Sequence, residues 1–268
     1  CLIFINKKMK TALLISTYNW PQALEVIFKS IQNQTKMPDE ILIADDGSRE
    51  DTKQVIESFK NQINVPVLHF WQEDQGFRKS KILNKAIAGS SADYIIQIDG
   101  DCIMHPQFIK DHISHAQKNV YLYGSRVNIK EQAVATVFNK QITNFNLFSS
   151  EIKNKTRTLH IPFLSNLYKS HAGISKKFRG CNVSYWKSDF IDINGYNEDF
   201  EGWGREDSDL AIRLGNKGVL AKRLRYAGIV FHIWHKVKSK ENLDKNDSIE
   251  KQTIANKTVK ITNGVNKY

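Results

Sequence analysis

Nothing in this 268-residue chain approaches the ~18 consecutive apolar residues that a membrane-spanning helix needs, and the apolar opening Cys1 to Ile5 is too short for a signal-peptide core. The sequence reads as neither a membrane-spanning nor a secreted protein. Its three cysteines, Cys1, Cys102 and Cys181, are widely spaced and form no C-x-x-C pair, which excludes a disulfide framework and a zinc knuckle and points to a reducing, cytoplasmic setting. No G-x-G-x-x-G follows the first predicted strand, and G-x-x-x-x-G-K-[ST] occurs nowhere. Neither a dinucleotide fingerprint nor a phosphate loop is available. There is no repeat array, and no stretch rich in Gly, Ser or Pro separates independent domains.

What is present is a globular composition, 41% hydrophobic and 25% charged, in a chain long enough to bury its own core. Lys and Arg outnumber Asp and Glu by 39 to 28, a balance of +11 that suits a polyanionic partner: nucleic acid, an anionic membrane surface or phosphorylated ligands. The excess is mostly scattered Lys, with loose clusters at Lys169 to Arg179 and Lys217 to Arg225 and no aromatic-interleaved basic motif. Nucleic acid is therefore set aside.

Short β-branched runs alternate with amphipathic stretches through the first half, the pattern of a mostly parallel sheet with helices on both faces, an α/β doubly wound domain. Strands are predicted at Thr11 to Thr17, Glu40 to Ala44, Val65 to Trp71, Tyr94 to Ile98 and Val120 to Tyr123. Helices are predicted at Pro21 to Gln32, after a capping box at Ser48-Arg49-Glu50-Asp51, around Ile82, Ala86 and Ile87, and at Pro106 to Gln117. From 128 to 177 the periodicity fades, and loops with short helices are expected. Regular pattern returns at Gly180 to Tyr185, followed by a helix at Glu206 to Lys217. Residues 1–9 are set aside as a leader, 10–127 form the first half of the domain, 128–240 the second, and 241–268 a tail with one helix.

In such a sheet, ligands bind beyond the carboxyl ends of the strands. The first strand ends in Ser16-Thr17-Tyr18-Asn19, the second in Asp45-Asp46-Gly47-Ser48 and the fourth in Asp99-Gly100-Asp101. The last offers hard carboxylate oxygens suited to Mn2+ or Mg2+ bridging a diphosphate, although Asp-Gly is also an ordinary turn. Phe231-His232-Ile233-Trp234-His235 supplies imidazoles that complete a ligand set. Acids at the start of the helix opening at Glu206 are stabilised there by the macrodipole without any further duty. Asp207, however, shares a helix face with Leu210, Ala211 and Leu214, so it turns inward, ionised, beside Gly202-Trp203-Gly204.

These motifs in this order, with Arg179-Gly180-Cys181-Asn182, resemble family 2 glycosyltransferases of the glycosyltransferase-A fold, over about Lys10 to Lys236. The later motifs are similar to chondroitin-polymerase-type and β-1,4-galactosyltransferase domains. The resemblance implies an inverting, metal-dependent transferase that moves a sugar from a nucleotide donor, usually UDP-linked, to a glycan or lipid-linked acceptor. Carried over residue by residue, it makes Tyr18 the stacking partner of uracil, Asp46 the acceptor for its ring N–H, and Thr17 a neighbour. Arg78 approaches the nucleotide or its phosphates, and Asp99 touches ribose or donor sugar. Asp101 with His232, or with His235 replacing or joining it, holds Mn2+ or Mg2+. Trp203, Glu206 and Arg179 line the acceptor site, and Asp207 is the base, with Glu206 the first alternative. Ser208 departs from the family's usual run of acids. The rival reading is a nucleotide-sugar-binding protein without catalysis, which would need no base. The basic surface fits peripheral contact with the inner face of a membrane.

Overall fold

The computed structural model describes residues 8–175, 177–236, 239 and 241–268. Residues 1–7 of the expected leader, and Lys176, Val237, Lys238 and Lys240, lie outside the described residues. The first half follows the predicted alternation: β1 (Thr11–Thr17), α1 (Pro21–Gln32), β2 (Glu40–Asp45), α2 (Glu50–Lys60), β3 (Val67–Trp71), α3 (Lys79–Ala88) and β4 (Tyr94–Asp99). Next come β5 (Cys102–Met104), α4 (Phe108–His115), β6 (Val120–Tyr123), β7 (Ser125–Ile129), α5 (Val134–Lys140), β8 (Ile152–Lys153) and α6 (Pro162–Ser165). The chain closes with β9 (Asn182–Trp186), α7 (Lys187–Asp192), α8 (Glu206–Asn216), β10 (Leu220–Arg223), β11 (Ile229–His232) and α9 (Leu243–Ala255).

The large sheet has the order β10-β6-β9-β4-β1-β2-β3. All its neighbours are parallel except β9, which runs antiparallel to both β4 and β6. Every residue of β2 is buried, and on β1 only Ser16 is partly open, because helices cover both faces. Alternate residues feed two cores: Leu13 and Ile15 pack with α1 and α2, while Ala12 and Leu14 pack with α3 and α8. This is the expected mostly parallel α/β fold.

Three departures from the sequence reading bear on how the site is built. Ser48 makes no capping box. Its hydroxyl accepts the Asn19 N–H at 2.9 Å and its own N–H goes to Asp45 at 2.8 Å, so α2 starts after Arg49 without a side-chain cap. The third strand starts at Val67, after Pro66, which has no N–H for the ladder. The stretch 128–177, expected as loops and short helices, contributes a strand to a second sheet of order β5-β11-β7-β8, which folds over the carboxyl ends of the large one. Among the described residues no helix is long and apolar enough to cross a membrane.

Candidate active site

A cleft of about 690 Å³ opens at the carboxyl ends of β1, β2 and β4 and is closed from the far side by the small sheet and the start of α8. That volume suits a nucleotide-sized ligand. Thr17, Tyr18 and Asp46 stand on one side, Asp99 and Asp101 at its floor, and Arg179, Trp203, Glu206, Asp207, His232 and His235 around the rest.

Tyr18 leaves nearly half its surface exposed and anchors its hydroxyl on Asp74 at 2.8 Å, so its ring faces the cleft from a fixed position. Asp46 is buried and accepts the Gln72 amide and, at 2.8 Å, the Arg78 backbone N–H. Gly47, with φ +95°, sits where a Cβ would lie 2.6 Å from the Asp74 backbone. That close approach holds the Asp45-Asp46 turn against the loop before α3. The structure does not bring the Arg78 guanidinium into the cleft. It donates to the Glu73 carbonyl at 2.7 Å and lines an adjoining hollow with Trp203.

The cation reaching the cleft from this loop is the next residue. Lys79 opens α3, is almost wholly buried, and points its ammonium at Asp99 (2.8 Å), Asp207 (3.7 Å) and Glu206 (3.8 Å). Sequence reasoning missed it. The signal was there: Lys79, Ile82, Leu83 and Ala86 fall at i, i+3, i+4 and i+7, the inward face of the helix. A lysine in a first helical turn also opposes the macrodipole, so its position needed another cause. Burial alone would depress its pKa, but the three carboxylates raise it well above the ordinary value, so it stays charged.

Asp101, His232 and His235 bring one ligand atom each to within 4.8 Å of one another. Burial disfavours the Asp101 carboxylate, yet the imidazoles of His232 and His235 and the Cys102 thiol outweigh it and hold its pKa well below the ordinary range. His235 Nδ1 faces the Lys236 carbonyl at 2.8 Å, and a carbonyl only accepts, so Nδ1 carries the proton. Its Nε2 lies 3.2 Å from Asp101 Oδ2 and is the ring nitrogen left to ligate a cation. His232, pushed down in pKa mainly by burial, also favours the neutral ring that ligates. One carboxylate and two imidazoles, one with its Nδ1 engaged from behind by a carbonyl, fit a divalent cation such as Mn2+.

Asp207 occupies the second position of α8, a quarter exposed, against Gly180, where any Cβ would overlap its carboxylate. A hydrogen-bond chain supports it. Tyr185 donates to Gln97 Oε1 at 2.8 Å, Gln97 Nε2 donates to the Tyr196 hydroxyl at 2.8 Å, and Tyr196 donates to Asp207 at 3.4 Å. Burial raises the Asp207 pKa and Lys79 opposes the rise, so the ammonium is a chief partner keeping it ionised, where the sequence reading credited the helix start. Glu206 is pushed up to about 7 by burial and by the neighbouring Asp207 charge. Helix α8 is fixed by the fully buried Arg213, which donates to Asp209 at 2.7 Å and to the Ile193 carbonyl at 3.0 Å. The Asn246 amide of α9 holds the carbonyls of Glu201 (3.1 Å) and Gly204 (3.0 Å), bracing the turn that carries Trp203.

Residues 12–171, more than half of the chain, match glycosyl transferase family 2, and residues 163–236 match the N-terminal domain of galactosyltransferase. The fold is that of glycosyltransferase-A proteins. The chain belongs to glycosyl transferase family 2. It is similar to the chondroitin synthase of Escherichia coli, 24% identical over 224 residues that cover 77% of this chain and 32% of the synthase. It is also similar to the validoxylamine A glucosyltransferase of Streptomyces hygroscopicus subsp. limoneus, 26% identical over 236 residues covering 78% of this chain and 48% of that protein. A crystal structure of GalNAc-T7 with UDP, GalNAc and Mn2+ superposes with a TM-score of 0.65 at 12% identity, covering 93% of this chain and 50% of that one. The chain thus spans about a third to a half of the length of these proteins.

Proposed function

We propose that the protein is an inverting glycosyltransferase that moves a sugar from a nucleotide donor, UDP-linked, to a hydroxyl of a glycan or lipid-linked acceptor. The carrying observation is that one cleft gathers a three-residue cation-ligand set and an inward carboxylate paired with a buried ammonium. Tyr18 and Asp46 receive the base, and Asp99 faces the ribose or donor sugar. Asp101, His232 and His235 hold the divalent cation, which when bound neutralises the leaving diphosphate. Trp203, Glu206 and Arg179 position the acceptor. Asp207 removes the proton of the attacking hydroxyl as its oxygen bonds to the anomeric carbon from the face opposite the departing diphosphate, which inverts the configuration. A positioned base of this kind contributes about 10²–10⁴ in rate. A non-catalytic nucleotide-sugar binder would have no use for Asp207 and its supporting chain.

Release of nucleoside diphosphate from each common nucleotide sugar, with Mn2+, Mg2+ or chelator, tests the reading, together with the anomeric configuration of the product. Binding of UDP without turnover of any donor would leave the binding-protein reading standing. Peripheral contact with an anionic membrane face belongs to the proposal through the +11 balance, and equal sedimentation with neutral and anionic vesicles at low salt would remove it.

A further inference from the structure

The small sheet turns a polar side toward the cleft. Along β7 the buried Ser125, Val127 and Ile129 alternate with the half-buried Arg126 and Asn128, as a two-residue period requires. Asn128 stands opposite His232 of β11 on one side and opposite Lys153 of β8 on the other. His232, Asn128 and Lys153 therefore form one cross-strand row, with Arg126 two residues back, and all four line the cleft. With strands about 4.8 Å apart, the row starts at the cation-ligand set and ends roughly 10 Å from it. Arg157 braces it by donating to the Arg126 carbonyl at 2.9 Å.

Lys79 meets three carboxylates, whereas among the described residues no ion pair includes Arg126, Lys153 or Arg157. Two long cations flanking a side-chain amide in a ligand-sized cleft match an oxyanion: the guanidinium fork offers parallel N–H donors, the ammonium a point charge, and the amide a further donor.

We propose that Arg126, Asn128 and Lys153 form an oxyanion subsite for a carboxylate or phosphate carried by one of the substrates. The inference rests on the glycosyl-transfer reading and narrows its substrate class. Either the donor diphosphate extends along the row, or the acceptor is an acidic sugar.

The test compares the wild type, the Arg126→Gln/Lys153→Gln variant and a Lys110→Gln/Lys169→Gln control, which removes the same charge from exposed positions. Titration calorimetry with UDP and Mn2+ gives the donor arm. Titration of the UDP- and Mn2+-loaded protein with methyl β-glucuronide and with its neutral twin methyl β-glucoside gives the acceptor arm. Losing charge-assisted bonds should weaken one arm by about tenfold or more in the cleft variant alone. Weaker UDP binding identifies the diphosphate as the oxyanion, and loss of a wild-type preference for the glucuronide identifies an acidic acceptor. Unchanged binding in both arms overturns the subsite, as does an equal loss in the control. Both arms read binding, so failure of the wild type to release nucleoside diphosphate would sink the glycosyl-transfer reading separately.

Discussion

Lys79 holds its ammonium 2.8 Å from Asp99 Oδ1, an oxygen that also accepts the Ser16 hydroxyl at 2.9 Å, and from that anchor it reaches Asp207 and Glu206 on α8. One buried cation thus ties the end of β4 to the start of α8. It also offsets the burial that raises the pKa values of Asp207 and Glu206.

Replacing Lys79 with Met should raise the pKa values of Asp207 and Glu206, since a carboxylate beside like charges resists ionisation once the cation is gone. The acid limb of the pH–rate profile should move to higher pH by about one unit or more, with a rate loss of about 10² near neutrality. Lys79→Arg, which keeps the charge, should recover part of both. A Met variant whose acid limb coincides with that of the wild type would show that Lys79 does not tune these acids.

Glu206 gives a stability prediction of definite sign. Its folded pKa of about 7 exceeds its ordinary 4.5, so between these values the folded state holds more protons than the unfolded one. Stability from this group therefore falls as pH rises through that window, by up to about 3 kcal/mol. Glu206→Gln keeps an acceptor for the Gly204 N–H, seen at 3.1 Å, and removes the penalty. Denaturant unfolding should show the variant gaining on the wild type from pH 5 to pH 8. Parallel profiles would place the cause elsewhere.

The first half of the fold was legible because its strands are continuous apolar runs and its helices carry one apolar face, so local pattern and burial agree. The bounds of β1 and α1 follow from that agreement. The small sheet was not legible. Strand β8 is two residues long, and β7 carries Ser, Arg and Asn in a five-residue run, so their pairing is imposed by neighbours distant in sequence. Asp207 was readable from helical periodicity at the Gly202-Trp203-Gly204 turn. Lys79 was not read, because a lone lysine in a basic chain looks like surface until its helix face is counted.

Gly180 is required by the space Asp207 fills. Gly180→Ala would drive a methyl group into the carboxylate, and the cheaper response is for the acid, a side-chain end beside an open cleft, to swing away. Stability should drop by about 1–3 kcal/mol, as for other overpacking changes. Transfer should fall by about 10² while UDP affinity holds, because the residues assigned to the uracil ring and the diphosphate are untouched. Activity near wild type in a folded Gly180→Ala protein would mean that Asp207 acts from a different position.

Asp207→Asn isolates the base. Asn keeps the size of the side chain and an oxygen to accept the Tyr196 hydroxyl, but it carries no charge for Lys79 and cannot take up a proton from the acceptor. Lys79 retains Asp99 and Glu206, so the fold and the floor of the cleft should persist. Binding of UDP with Mn2+ should stay within about twofold of the wild type, while transfer should fall by about 10² or more at every pH where Asp207 would be ionised. The split between the two measurements carries the argument. A loss of UDP affinity as large as the loss of rate would make Asp207 a donor-binding or structural residue. Near-normal transfer would move the base to Glu206, whose pKa near 7 would then appear as the acid limb of the rate profile. Product of inverted anomeric configuration is the independent check, since one displacement assisted by one base must invert, and a retained anomer would exclude this role for Asp207 whatever the kinetics of the Asn variant.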